Sequence, residues 1–236
     1  MNMIHSAKYL LVGAILAVTC PQGDGVGYKT TSWETFPAFF DRSLIDSYES
    51  LFGESLDEAQ QEGFLRVVRF IKSDREVTDL RWAAYLLATV RHETAFTWRP
   101  IREFGQGRGR EYGTPDPDLG ETYYGRGYVQ LTWKENYERA GRLLGKDFVR
   151  NPDKTLDPET AYQILSRGMR EGWFTGRALE DYIADTRTDY VNARRVVNGT
   201  DRAENIAAQA RKFESLLRGE PALRDRFPIS GPVNQG

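Results

Sequence analysis

A chain of 236 residues with 40% hydrophobic and 12% aromatic side chains can bury a sizeable core, as one domain of ordinary to large size or as two small ones. Its 34 acidic residues against 32 basic leave no global positive field, which argues against nucleic acid as a partner. One cysteine, Cys20, and two histidines, His5 and His92, exclude a disulfide framework in the body and leave too few ligands for a zinc site, so neither metal nor cofactor is expected.

The N-terminus stands apart from the rest. Lys8 precedes the apolar run Tyr9-Leu10-Leu11-Val12-Gly13-Ala14-Ile15-Leu16-Ala17-Val18. That run is short for a membrane span and reads as a signal-peptide core. It points to an exported protein, periplasmic or extracellular, or to membrane association through the leader. A buried N-terminal helix is the bland alternative. No small residue precedes Cys20, so a lipoprotein signal fits poorly. Residues 20–31 are Gly-rich and suit a linker. The organisation expected is a leader and linker over 1–31, a folded body over 32–218, and a tail over 219–236 carrying Pro221, Pro228 and Pro232.

Pro37 is expected to interrupt any single helix between Ser32 and Phe52. Ser55 fits an N-cap with Glu58 as its capping-box partner. Phe64, Val67, Val68 and Ile71 then give a helical stripe. Thr78 or Asp79 caps the next helix, whose apolar residues from Leu80 to Val90 cover nearly every face and predict a central, buried element. Residues 104–127 hold seven glycines and two prolines, a long loop of the kind that carries function. A short hairpin is expected near Tyr123–Leu131. Helices follow from Trp133 to Leu144, ending at Gly145, and from Pro158 to about Trp173. Two more are expected over Arg177–Val197, stopped by Asn198-Gly199, and over Asp201–Leu217. The chain thus reads as mainly α.

Glu93 ends the buried helix, and Glu103 follows ten positions later on a polar loop with Arg102, Arg108 and Arg110. Apolar surroundings and the negative end of the helix dipole both disfavour a carboxylate at Glu93, which suits a general acid. Glu103 suits a base. Two carboxylates in contrasting environments are what acid/base cleavage of a glycosidic bond needs. Spacing alone does not assign them, since 34 acidic residues give many such pairs, and Glu111 and Glu121 are alternative bases on the same loop. The Thr132 hydroxyl can hold a water, and the Gln130 amide can bind sugar groups. Both also fit the polar face of a short strand with Val129, Leu131 and Trp133. Tyr123, Tyr124 and Trp133 can stack on sugars or fill the core. His92 fits a structural hydrogen-bonding role better than that of a base. Gly105, Gly107 and Gly109 lack phosphate-loop spacing. Asn198-Gly199-Thr200 reads as a glycosylation sequon or, more simply, as a helix-ending turn.

His92-Glu93-Thr94, Glu103, the run Tyr123-Tyr124-Gly125-Arg126-Gly127 with Gln130-Leu131-Thr132-Trp133 and Asn136-Tyr137, and Val197-Asn198-Gly199 together resemble glycoside hydrolase family 19, which includes chitinases and phage endolysins. The resemblance covers roughly Ser55 to Leu217. It implies a mainly α, lysozyme-like fold with a deep substrate cleft and a small β-hairpin region. It also implies an inverting mechanism in which Glu93 is the acid, Glu103 the base and Thr132 the residue that positions water. In such an enzyme the two carboxyl groups stand roughly 6.5–9.5 Å apart. On the same pattern His92, Tyr124, Arg126, Gln130, Trp133, Asn136 and Asn198 form the substrate-binding set. Ala95-Phe96 replaces the glycines usual in chitinases, Tyr128 replaces a proline, and the plant cysteines and a chitin-binding module are missing. These departures weigh against chitin. His92-Glu93-Thr94-Ala95 and Pro100-Ile101-Arg102-Glu103 resemble the endolysin branch and point to peptidoglycan. The competing readings are a chitinase and a non-catalytic wall-binding protein. An exported antibacterial toxin of this kind would also require an immunity protein as partner.

Overall fold

Six α-helices and two very short strand pairs make up the part of the chain that the computed structural model describes, residues 36–219, with side chains from residue 41 onward. The expected leader and linker over 1–31 and the expected tail beyond Gly219 lie outside these residues. Helix α1 spans Phe36–Phe52, α2 Glu58–Ser73, α3 Leu80–Glu93, α4 Lys134–Leu144, α5 Pro158–Arg170 and α6 Ala203–Gly219. The strands β1 (Ile101–Arg102) and β2 (Arg126–Gly127) pair antiparallel, Ile101 opposite Gly127, and β3 (Ile183–Ala184) pairs with β4 (Arg187–Thr188). The mainly α expectation therefore holds.

Helix α3 is the axis of the domain. Ala83, Ala84, Leu86, Leu87, Ala88 and Val90 have no solvent exposure. It packs more extensively on α6 than on any other element, and α6 answers with buried Ile206, Ala207, Ala210 and Phe213. Alanines on both helices keep the side chains short and let the backbones approach. Asp79 caps α3 by accepting the Arg81 N–H at 2.8 Å. Tyr48, Phe52, Phe64, Trp98 and Phe213 form an aromatic cluster at 4.5–6.5 Å beneath it.

Three local expectations need correction. Pro37 does not interrupt α1 but sits in its first turn, where a missing N–H costs no intrahelical bond. The N-cap of α2 is Asp57 rather than Ser55. Asp57 and Gln60 complete a capping box, the same four-residue signature displaced by two positions. The largest error is the helix expected over Arg177–Val197. That stretch is a 3-10 turn (Leu179–Asp181), the β3–β4 hairpin and a second 3-10 turn (Asn192–Val196). Asp185 takes φ 47° at the hairpin tip, and the strands hold Arg81 and Trp82 of α3 through the Arg187 and Ile183 carbonyls.

One packing contact is set by a missing side chain. A Cβ at Gly63 of α2 would stand 2.6 Å from the Trp98 carbonyl, so the 94–98 turn packs there only against glycine. Gly63→Ala ordinarily favours a helix by about 1 kcal/mol. Here the clash with backbone is expected to win and cost about 1–3 kcal/mol. Thermal melting checks the sign, and a Tm equal to or above that of the parent would refute the tight packing.

Candidate active site

Glu93 is the last residue of α3, closed by the Thr94 cap. Its carboxyl is not in the apolar isolation that the sequence suggests. Arg194, only 4% exposed, donates from Nη1 to Glu93 Oε1 at 2.6 Å and from Nε to the Asp201 carbonyl at 3.2 Å. The Glu93 side chain keeps 13% exposure, toward the cleft that it lines. A buried guanidinium thus holds the Glu93 carboxyl from behind and fixes its direction into the cleft.

Glu103 directly follows β1. Its N–H donates to the Gly125 carbonyl at 2.7 Å, extending the β1–β2 pairing by one residue. The Gly125 N–H returns to Glu103 Oε2 at 3.1 Å, and the Tyr112 hydroxyl donates to Oε1 at 2.8 Å. Both carboxyl oxygens are therefore held by donors. Tyr112 reaches this position because the glycine loop folds on itself, and a Cβ on Gly113 would lie 2.0 Å from the Gly107 carbonyl. Burial, and then the Glu103 carboxylate, push the Tyr112 phenol above its ordinary range.

The third element is the turn after β2. Arg126 and Leu131 exchange backbone hydrogen bonds at 2.9 and 3.2 Å, closing a tight loop in which Gln130 takes φ 53°. This is the hairpin expected near Tyr123–Leu131, although the main partner of β2 is β1. The Thr132 hydroxyl donates to the Gln130 carbonyl at 2.8 Å, which leaves its oxygen lone pairs free to accept. Glu93, Glu103 and Thr132 line one open cleft of about 1000 Å³.

The sequence model described as chitinase class I matches residues 74–165, a span that contains Glu93, Glu103 and Thr132. Chitinase 11 of Oryza sativa subsp. japonica is 33% identical over 228 residues, covering 78% of this chain and 86% of its own length. The chain belongs to glycoside hydrolase family 19. An endochitinase of Arabidopsis thaliana is 30% identical over 149 residues, 61% of this chain, and the chain spans 52% of that protein's length. A solved bacterial family 19 chitinase covers 73% of this chain and 93% of its own at 20% identity, with a TM-score of 0.44. As a family member the protein is a glycoside hydrolase with a polysaccharide substrate.

Within this family 19 cleft the sequence-predicted residues divide into two groups. Gln130, Trp133, Asn136 and Asn198 line it beside the three residues above. Trp133 is 43% exposed and rests edge-on against Tyr112, available for stacking on a sugar. Gln130 spends its amide hydrogens on the Ile101 and Gly127 carbonyls, both at 3.2 Å, so its binding capacity toward a ligand lies in Oε1. Asn136 donates to the Thr132 carbonyl at 2.7 Å and steadies that turn.

His92, Tyr124 and Arg126 are not brought to the cleft surface. Arg126 is 3% exposed and is held through Nε by Asp153 and through Nη1 by the Thr122 and Tyr124 carbonyls and the Tyr137 hydroxyl. Its guanidinium lies 3.7 Å from the Tyr124 ring centroid. Tyr124 and Arg126 therefore act as the frame behind Glu103 and Gly125, a correction to their expected contact with sugar. His92 is half-buried, and burial, opposed by Glu93, holds its imidazole below the ordinary value of 6.5. Glu111 and Glu121 also lie off the lining, which favours Glu103 among the loop acids.

Sequence reasoning missed Arg194, Tyr112, Phe174, Thr175, Arg177 and Arg195. Only Tyr112 had a local signal, an aromatic residue within the glycine loop. Tyr112→Phe is expected to lower kcat/KM by about tenfold, since it deletes one hydrogen bond to a charged group. Steady-state rates with the melting temperature as control test this, and an unchanged rate would exclude Tyr112 from holding the base.

Proposed function

We propose that the protein cleaves β-1,4 bonds between the amino sugars of peptidoglycan by single displacement with inversion. Glu93 protonates the leaving oxygen. Glu103 takes a proton from the attacking water, and the Thr132 oxygen lone pairs place that water. The observation that carries this reading is the convergence of a helix-terminal carboxyl and a β1-terminal carboxyl on one cleft, each with its own hydrogen-bonding partners. The same convergence weighs against a non-catalytic wall-binding protein. Export through the leader of residues 1–31 gives such an enzyme access to the wall, and an antibacterial role would add a dedicated immunity protein.

A second reading is supported by the names of the relatives, a chitinase and an endochitinase. Chitin and peptidoglycan share the β-1,4-linked N-acetylglucosamine unit, so one constellation serves either. Incubating the protein separately with bacterial peptidoglycan and with chitohexaose, and following new reducing ends and product masses, decides between them. New reducing ends from peptidoglycan with little turnover of chitohexaose are expected. The reverse result would replace peptidoglycan by chitin, and no release from either by the folded protein would restore the binding-protein reading.

A further inference from the structure

Four charged side chains line the cleft: Glu93, Glu103, Arg177 and Arg195. Glu93 is held from behind by Arg194 and is the proposed acid, and Glu103 is the proposed base. The two arginines have no such assignment. Both are exposed, and among the described residues neither meets a carboxylate. Arg195 gives only its Nε to Asn192 Oδ1, at 3.3 Å, which leaves both terminal nitrogens free, and the Arg177 side chain has no hydrogen-bonding partner among these residues.

Their placement is nevertheless built. Thr175, itself on the cleft lining, sits with Oγ1 2.6 Å from the Arg195 carbonyl and 3.1 Å from the Val196 carbonyl. The Arg177 N–H donates back to the same hydroxyl at 3.4 Å. One threonine therefore ties the 174–177 loop to the Asn192–Val196 turn and sets the two guanidinium-bearing residues on one wall. Asn192 is fixed in turn by Asp189, through its N–H at 3.0 Å and its Nδ2 at 2.8 Å.

A neutral homopolymer of N-acetylglucosamine offers these cations hydroxyl and amide oxygens but no anion to pair with. A glycan whose alternate sugars carry carboxylates does. We propose that Arg177 and Arg195 form a carboxylate subsite that recognises the acidic arms of the glycan strand and so set the preference of this cleft for peptidoglycan. The proposal rests on the peptidoglycan reading given above. A planar guanidinium holds a carboxylate by paired, charge-assisted hydrogen bonds, and on an exposed wall that attraction weakens with salt. Two sources supply such a group, the stem-peptide carboxylates and the lactyl carboxylate left when the peptide is removed.

The test compares the full-length protein with its Arg177→Gln/Arg195→Gln variant on three substrates: glycan strands with intact stem peptides, strands stripped of peptide by an amidase, and chitohexaose. Binding is measured in parallel by calorimetry in a Glu93→Gln background, where turnover does not interfere. The double change is expected to lower kcat/KM and affinity for acidic strands about tenfold while leaving chitohexaose within about twofold, with the parent's advantage on acidic strands shrinking as salt rises. A loss confined to peptide-bearing strands assigns the subsite to the stem-peptide carboxylates, a loss confined to stripped strands assigns it to the lactyl carboxylate freed there, and a loss on both shows that it takes either carboxylate. Equal losses on all three substrates, or no loss on the acidic ones, overturn the proposal. Should the parent fail to cut peptidoglycan yet bind acidic strands in an arginine-dependent way, the hydrolytic reading fails and the subsite stands.

Discussion

Glu93→Gln is expected to lower kcat by about 10²–10⁴-fold, the share of rate enhancement that a general acid typically supplies. Gln keeps the shape of the side chain and can still accept from Arg194 through its amide oxygen, but it has no proton of suitable acidity to give. Binding of a glycan oligomer should therefore persist while turnover vanishes. Initial rates and calorimetric affinity, measured on a variant whose melting transition remains cooperative, separate these effects. A variant that retained a tenth of the parent rate would remove Glu93 from the acid role. Glu103→Gln should cost less, because Thr132 and the donors around the site still order the attacking water. Glu111→Gln should cost nothing, since Glu111 lies off the cleft. Inactivity of Glu111→Gln beside an active Glu103→Gln would move the base.

The elements that were legible in the sequence are those whose local signals agree with their packing. Helix α3 carries apolar residues all round because it lies at the centre, and its Asp79 cap is written beside it. Helices α4 and α5 announce themselves with Gly145 at one end and Pro158 at the other. The stretch from Leu179 to Val196 deceived because Leu179, Ile183, Ala193 and Val196 are buried at spacings that also suit a helix. The polar cluster Asp185-Thr186-Arg187-Thr188-Asp189 was the turn signal against it, and the structure sides with that cluster. Glu103 and Thr132 could be placed from motifs because each sits in a dense local pattern of glycine and aromatic residues. Arg194 could not. It lies 101 positions from Glu93, inside a run that looked helical, and only the tertiary fold brings the pair together. The same distance explains why the Glu93 surroundings were misread as purely apolar.

Arg194→Met puts that tertiary pairing to a quantitative test. The substitution keeps much of the buried volume but removes the cation from Glu93 and the donor from the Asp201 carbonyl. Breaking a buried ion pair by deleting one partner costs about 3–5 kcal/mol, and the lower figure applies because Glu93 still meets cleft water at 13% exposure. About 3 kcal/mol in a domain of this size lowers Tm by about 6–12 °C. Arg194→Lys should recover part of the loss, since an ammonium retains the charge but cannot serve both Glu93 and the Asp201 carbonyl in the same fork. A double-mutant cycle carries the decisive information. With Glu93→Gln already in place the carboxylate charge is gone, so adding Arg194→Met should cost distinctly less than it does in the parent. Additivity within about 0.5 kcal/mol would mean that the two side chains do not stabilise each other. A positive coupling, together with the loss of turnover in each single variant, would make Arg194 the residue that aligns the acid from behind the cleft wall. The domain would then hold its catalytic carboxyl by the same contact that joins the end of α3 to the turn before α6.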